Sequence, residues 1–219
     1  PKKKPAVQAS EEYVNATISE LTRLGQRFIV SHAEDKQRPN GSRSLYRRAD
    51  DKDLINKINV TVREPPRLVF FEGAVFEATT NMTSGRKGFS QSQLLIMLQL
   101  PSEETVRSKA TITLIASPVG ETTIPYRSDG SIPTKEELLQ NDWKEVKVQT
   151  VPDRKQQYVV SGSLRGMRQQ YSLRHLGAST IHKVTGKTIL GKCATEINSR
   201  CLTWDKAQAV VLLSRTTKG

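Results

Sequence analysis

The chain has 219 residues, of which 36% are apolar and 26% charged, a length and balance typical of a folded globular protein rather than a disordered one. Its 34 Lys and Arg residues outnumber 22 Asp and Glu residues, and the formal net charge of +12 favours a polyanionic partner such as DNA, RNA or an acidic membrane surface. No apolar run approaches the roughly 20 residues of a membrane span, and no segment has the pattern of a secretory signal, so membrane insertion and secretion are disfavoured.

The first predicted element is a helix with Ser10 as its cap and Gly25 placed to end it. Its apolar residues recur at helical spacing and are Val14, Ile18 and Leu21. Residues 27–30 then have the composition of a short strand. The basic opening PKKKP, residues 1–5, is interpreted as a linker in preference to an added remnant or a weak nuclear address.

A second helix is predicted to start at Asp50 or Asp51, with Leu54, Ile55 and Ile58 on one side. Beyond Pro65 and Pro66, residues 68–71 and 74–78 flank the pair Glu72 and Gly73. Two apolar runs around a two-residue turn that contains glycine predict a β-hairpin. Its core would hold the aromatic residues Phe70, Phe71 and Phe76.

In the middle of the chain, leucines at helical spacing predict a helix over residues 90–98, and a β-branched run predicts a strand over 111–116. Residues 117–142 have the composition of loops or a surface insertion. Strands are predicted at 146–151, 157–161, 192–197 and 209–213. The last of these is almost wholly apolar, as in a strand buried on both faces, which favours a parallel sheet in an α/β fold.

Cysteine and histidine usage disfavours a disulfide framework and a zinc cage. Cys193 and Cys201 are too few and too far apart for either pattern, so a reducing, intracellular compartment is the simpler interpretation, nuclear if the host is eukaryotic. The three histidines are scattered and are His32, His175 and His182.

No acidic residue occurs between Asp153 and Glu196. The cations of this interval are Arg154, Lys155, Arg165, Arg168, Arg174, Lys183, Lys187 and Lys192. Positive charge interspersed with neutral hydrogen-bond donors suits the phosphates of a nucleic-acid backbone. A solvated basic face is an equally good interpretation of the charge alone.

Within this interval, STIHKVTGKT (residues 179–188) ends in GKT, as a phosphate-binding P-loop does. A P-loop needs a glycine five positions before the glycine of GK, and that position is Ile181. Neither Walker A nor Walker B occurs elsewhere in the sequence. Any ATP cradle would therefore be supplied by another segment.

The string TIHKVTGKT, residues 180–188, resembles motif V of superfamily 1 helicases, and VVLLSRT, residues 210–216, resembles their motif VI. The preceding RQQYSLRH, residues 168–175, is similar to the approach to motif V in the RecD and petite-integration-frequency (Pif-like) branch. Residues 7–24 and 33–35 resemble the start of the second RecA-like domain. Residues 68–81 resemble the segment of strand, glycine, strand and asparagine that precedes the inserted subdomain in that branch. Residues 82–161 look more like divergent eukaryotic or mobile-element helicases, as GFSQSQL (88–94) and LTWDK (202–206) do.

The resemblance implies a RecA-like parallel sheet with flanking helices, interrupted by a β-rich insertion. The expected domains are residues 1–81 for the first part of the RecA-like domain, 82–164 for the insertion and 165–219 for the remainder with motifs V and VI. Since the Walker motifs are absent and the chain ends shortly after motif VI, we expect a fragment.

The resemblance also implies roles for single residues. Arg215 would be the arginine finger that stabilises charge on the γ-phosphate, with a surface ion pair as the alternative. Residues implied to contact ATP are Gly186, Lys187 and Arg215, and those implied to bind DNA are Arg168, Thr180, His182 and Lys183. No metal ligand is expected. Thr185 stands where motif V usually has glutamine, and Ser10 where motif IV has a basic or amide residue. Trp204 is interpreted as core.

The expected function is the carboxy-terminal motor lobe of an ATP-dependent 5′-to-3′ DNA helicase, acting on single-stranded or forked DNA. A missing first lobe would hold most of the ATP and Mg²⁺, so the chain alone should lack ATPase activity. The alternatives are a non-enzymatic basic nucleic-acid-binding module derived from a helicase, and an interaction domain for acidic proteins.

Overall fold

The computed structural model describes residues 4–82, 88–121, 124–127, 131–151 and 155–176, apart from the side chains of residues 4–10. Within these ranges the chain is mixed α/β, as predicted, with four helices and eleven strands in three sheets. Every strand pairing described is antiparallel. The strands predicted at 192–197 and 209–213 lie outside the described residues, so the parallel sheet stays a prediction.

Helix α1 (Lys4–Arg23) includes Ser10, which is therefore not its cap. The predicted end is confirmed: Gly25 has φ +65, its N–H donates to Thr22, and the N–H of Gln26 donates to Leu21. This double bond pattern around a left-handed glycine satisfies the last carbonyls of the helix. The helix packs through a cluster of Val14, Leu21 and Val69.

Strand β1 (Ile29–His32) pairs with β4 (Arg67–Phe70) in a two-stranded sheet, which receives α1 on one side. Along the chain, helix α2 (Lys52–Thr61) lies between β1 and β4. The predicted start of α2 is confirmed, because the Asp51 side chain accepts a hydrogen bond from the backbone N–H of Leu54 at 2.7 Å. Leu54 and Ile58 are buried, as their spacing predicted.

A four-stranded sheet has the order β3-β2-β10-β9. Its strands are β2 (Glu34–Pro39), β3 (Arg47–Arg48), β9 (Val159–Ser161) and β10 (Leu164–Gln169). Helix α2 covers one face so closely that a Cβ added at Gly166 would lie 2.9 Å from Ile58 Cδ1 and from Leu54 Cδ2. Glycine at this position is what lets the helix and β10 approach.

A five-stranded sheet has the order β11-β5-β6-β7-β8 and carries the main core. Its strands are β5 (Val75–Ala78), β6 (Leu94–Ile96), β7 (Ile112–Ala116), β8 (Lys144–Val148) and β11 (Leu173–His175). Phe70 and Phe76 are fully buried, with ring centroids 5.5 Å apart, and Phe71 lies at the edge of the cluster. Two short helices, α3 (Glu103–Arg107) and α4 (Lys135–Gln140), connect the strands.

Two local predictions are wrong. The strands of the predicted hairpin exist, but β4 pairs with β1 and β5 pairs with β6 and β11. After the turn, the N–H of Gly73 donates to Met97, so the chain has already joined the other sheet. In place of the helix predicted over 90–98, residues 94–96 form strand β6. The three residues of β6 are buried, and the strand pairs with β5 and β7. The region predicted as loops or a surface insertion, 117–142, contains the short helix α4, which starts with a Thr134–Glu137 capping box.

The five-stranded sheet contains strands from all three expected domain ranges, since β5, β6 and β11 belong to different ones. Likewise, β10 pairs with β2 along six residues from Leu164↔Pro39 to Gln169↔Glu34. Residues distant in the sequence are thus neighbours in both larger sheets. The domain boundaries stay a prediction.

Candidate nucleic-acid interface

Most of the predicted site residues lie outside the described part of the chain. These are Thr180, His182, Lys183, Gly186, Lys187 and Arg215. Arg168 is described, and so is the whole of the segment RQQYSLRH, which leads directly to the stretch that resembles motif V. We call residues 168–175 the approach segment.

Arg168 lies on β10 with a side chain that is only 1% exposed. Its Nε and Nη2 donate to the two carboxylate oxygens of Asp35, both at 2.7 Å, in a bidentate ion pair. Nη2 also donates to Asn59 Oδ1 at 2.6 Å, and Nη1 to the carbonyl of Glu64 at 3.2 Å. The guanidinium thus joins β10, β2 and α2. Contact with a DNA phosphate would require it to leave Asp35, and the DNA contact stays a prediction.

The next buried side chain of the approach segment, Gln170, is tied to β1. Its Oε1 accepts from Ser31 Oγ at 3.0 Å, and its Nε2 donates to the Ser31 carbonyl at 3.2 Å. Lys109 Nζ donates to Ser31 Oγ at 2.7 Å and to the carbonyl of His32. Burial lowers the pKa of the Lys109 ammonium. These bonds fix the segment against the two-stranded sheet.

Tyr171 and Arg174 attach the approach segment to the main core. The Tyr171 hydroxyl donates to the carbonyl of Ala110 at 2.8 Å, and burial raises its pKa to about 12. Arg174 Nη2 pairs with Glu77 Oε1 at 2.8 Å, and the Glu77 side chain is 1% exposed. Burial lowers the pKa of Arg174.

His175 ends the segment in a similarly enclosed position, 6% exposed. Its Nε2 accepts the backbone N–H of Val69 at 2.9 Å. Removal from water lowers its pKa to about 4, so this imidazole is neutral at physiological pH and serves as an acceptor. The approach segment is therefore held by contacts to every sheet before the chain reaches residue 177.

Two of the cations in the acid-free interval are neutralised by acidic residues from other parts of the sequence. Arg168 is neutralised by Asp35 and Arg174 by Glu77, acids that lie far away along the chain. Arg165 differs from both: among the described residues it is in no ion pair. It lies directly opposite Arg38 in the pairing of β10 with β2.

Arg38 and Arg165 are each covered by a tyrosine. The Arg38 guanidinium carbon lies 4.5 Å from the Tyr46 ring centroid, and that of Arg165 lies 3.9 Å from the Tyr158 ring centroid. The two tyrosine rings stack at 6.3 Å with an interplanar angle of 20°. We call these four residues the basic–aromatic patch. Burial raises the pKa of the Tyr46 hydroxyl, although the nearby charges of Arg38 and Arg165 act in the opposite direction.

Sequence reasoning missed three of the four patch residues, Arg38, Tyr46 and Tyr158. The composition of residues 36–48, with five cations and no acid, could have indicated a basic surface in this segment. The register that places this segment beside the acid-free interval was not available, since it depends on pairing between strands far apart in the sequence.

The described ranges contain neither a metal-binding cluster of side chains nor a helix that could span a membrane. No group of three or more His, Cys, Asp or Glu side chains there is arranged to hold a metal ion. Among the described helices, none has the length and apolar character needed to cross a membrane.

No family model and no curated protein matches the chain. Among solved structures, it is similar to the Pif1 helicase from Candida albicans, with 16% identity and a TM-score of 0.53 over 94% of this chain and 41% of that one. Bacteroides Pif1 bound to ssDNA aligns with 15% identity and a TM-score of 0.45 over 94% of this chain and 37% of that one. Bacteroides Pif1 in complex with ADP-AlF3 and ssDNA aligns with 16% identity and a TM-score of 0.44 over 96% of this chain and 37% of that one.

The alignment with the Candida albicans structure, at a TM-score of 0.53, supports a common fold. The chain spans less than half the length of each of these proteins. At 16% identity the similarity shows the fold and nothing finer. The chain has a Pif1-like helicase fold.

Proposed function

We propose that the chain is the second motor lobe of a DNA helicase of the Pif-like branch, with single-stranded or forked DNA as its substrate. The observation that carries this proposal is the alignment of 94% of the chain with the Pif1 helicase from Candida albicans. Segments that resemble motifs V and VI follow in the expected order. The net charge of +12 is appropriate for a DNA-binding protein.

In this proposal ATP and Mg²⁺ are held mainly by a first RecA-like lobe, and this chain completes the site. Arg215 would place a guanidinium on the γ-phosphate, where a forked, permanently charged group stabilises the charge that develops during hydrolysis. Gly186 and Lys187 would lie near the nucleotide. No Walker A sequence occurs within these 219 residues, so the chain alone should show no ATPase activity.

DNA would be held by Thr180, His182 and Lys183, which follow the approach segment directly. Arg168, Gln170 and His175, which precede these residues in the sequence, are tied to three different elements. Closing the lobes on ATP and releasing them after hydrolysis would alternate this grip and move the lobe along the strand. Movement in the 5′-to-3′ direction is part of the proposal and comes from the resemblance.

The test supplies the first lobe of a Pif-like helicase to the chain, in trans or fused, and measures ATP hydrolysis stimulated by single-stranded DNA. We expect activity with the native sequence and a loss of about 1000-fold with Arg215→Ala, because a finger contributes most of its effect in the transition state. Arg215→Lys should recover little, since lysine lacks the forked geometry. Stimulated hydrolysis that is unchanged in Arg215→Ala would show that Arg215 is not the finger.

The alternative function is a non-enzymatic nucleic-acid-binding module derived from a helicase. The basic–aromatic patch favours it, since this surface needs no nucleotide. Both functions require DNA affinity that falls steeply with salt, and binding that is insensitive to salt would instead indicate an acidic protein partner. Hydrolysis in the presence of the first lobe separates the motor from the module.

A further inference from the structure

We propose that the basic–aromatic patch is a binding site for single-stranded DNA, separate from the residues that resemble motif V. The patch consists of Arg38, Tyr46, Tyr158 and Arg165 on the face of the four-stranded sheet opposite to α2. The site itself rests on contacts within the described residues. The choice of DNA over RNA rests on the proposed function.

The first argument is the placement of like charges. Arg38 and Arg165 are directly opposite each other on neighbouring strands, an arrangement that destabilises a sheet unless something neutralises it. Neither forms an ion pair with a described acidic residue, whereas Arg168 and Arg174 do. An anion at this position would neutralise both charges.

The second argument is the charge of the residues around Arg38 in the four-stranded sheet. The connection from β2 to β3 adds the exposed side chain of Arg43, and the exposed Arg48 on β3 lies opposite Lys36. Lys36 and Arg47 have acidic neighbours, at 3.5 Å from Glu34 and 3.7 Å from Asp50, which places the acids at one end only. Arg38 and Arg165 therefore lie away from these acids.

The third argument is the presence of aromatic rings among these cations. Tyr158 is 38% exposed and lies over Arg165. Val160, two residues further along the chain, is 47% exposed, and Leu45, next to Tyr46 in the sequence, is 94% exposed. A base of a single strand can pack against the exposed part of this ring, which also contacts Arg165 and the Tyr46 ring, and arginines hold the phosphates on either side. A duplex keeps its bases stacked on each other and would use only the charges. The combination therefore favours a single strand.

The test measures binding of an oligo(dT) of about 20 nucleotides to the full chain by fluorescence anisotropy, without ATP, from about 50 to 200 mM salt. Arg38→Gln together with Arg165→Gln should weaken binding about tenfold at low salt and reduce the slope of log K against log salt by about 1.4. The matched control, Lys52→Gln with Lys57→Gln, removes two exposed charges from α2, on the other face of the same sheet. It should weaken oligo(dT) binding by less than about twofold and leave the slope of log K against log salt close to that of the native chain.

A second, independent pair of variants tests the ring. Tyr158→Ala should weaken oligo(dT) binding about tenfold, and Tyr158→Phe should bind like the native chain, since the stacking surface remains. This pair also serves if the arginine variants fail to fold, which thermal unfolding of each variant will reveal. A duplex of the same length should be bound equally by Tyr158→Ala and Tyr158→Phe.

The proposal is overturned if the patch variants bind oligo(dT) like the control, or if they weaken binding of oligo(rU) or of an acidic peptide and leave oligo(dT) unaffected. Binding in the absence of nucleotide does not depend on Arg215. Hydrolysis that depends on Arg215, with unaltered binding by the patch variants, would refute the patch alone. Weakened binding without any hydrolysis would instead refute the motor.

Discussion

Replacing Arg168 by Met tests the buried ion pair at the level of a single residue. The change removes a guanidinium that is 1% exposed and leaves the Asp35 carboxylate, 17% exposed, without its bidentate partner. An uncompensated charge in such a position lowers the free energy of unfolding by about 3 kcal/mol. Urea unfolding of the native chain and of Arg168→Met measures the difference.

The matched control is Arg165→Met, on the same strand but on the opposite face of the sheet. It removes a charge that has a like-charged neighbour, Arg38, and should change stability by less than about 1 kcal/mol. Arg168→Met combined with Asp35→Leu should recover at least half of the loss, because no buried charge then remains. A loss below about 1 kcal/mol for Arg168→Met alone would mean that Asp35 does not hold this guanidinium.

At the scale of elements, the contact between α2 and β10 depends on the missing side chain of Gly166. An added Cβ would lie 2.9 Å from Ile58 Cδ1, closer than packed atoms allow. We expect Gly166→Ala to lower the free energy of unfolding by about 1 to 2 kcal/mol, since the ends of the buried Ile58 and Leu54 side chains must shift within a packed core. Denaturant unfolding provides the measurement.

The double variant Gly166→Ala, Ile58→Val identifies the cause. Valine lacks the Cδ1 atom of Ile58, so the double variant should be more stable than the sum of the two single changes predicts. Strict additivity would show that the effect of Gly166→Ala has another origin, such as a change in the backbone.

The elements that the sequence predicted well are those decided by local chemistry. Helix α2 was identified from its aspartate cap and the spacing of Leu54 and Ile58, and the end of α1 from Gly25. The failures depended on pairing between distant segments. An apolar run such as residues 94–96 fits a helix or a strand equally well, and only its position between β5 and β7 decides the matter. The capping box of α4 was present in the sequence and was overlooked.

At the scale of the whole molecule, charge could be counted from the sequence but not paired. Eight cations between Asp153 and Glu196 looked alike, yet Arg168 and Arg174 neutralise acids in other elements while Arg165 lies beside a further arginine. The basic–aromatic patch was unpredictable for the same reason. The residues predicted from motifs V and VI lie outside the described ranges, and their roles depend on experiment.

His175 links three parts of the molecule. Its Nε2 accepts from the N–H of Val69 on β4, and its ring lies 5.5 Å from that of Tyr13 on α1 and 5.1 Å from that of Phe76 on β5. A charge on this imidazole would break the hydrogen bond from Val69 and place a cation in the core. The pKa of His175 should therefore couple the stability of the whole fold to pH.

The pKa of His175 is lowered by burial from 6.5 to about 4, so between these values the unfolded chain binds a proton that the native protein does not. The resulting stability is fully present above about pH 6.5 and is lost as the pH falls toward about 4. From about pH 7.5 to 5 the free energy of unfolding should fall by roughly 2 kcal/mol through this residue. His175→Gln keeps an acceptor for Val69 but cannot titrate, and it should remove this part of the pH dependence. His32→Gln, at an exposed position, should leave it unaltered. If His175→Gln loses stability between these pH values as steeply as the native chain does, the imidazole is not the group whose protonation the fold resists.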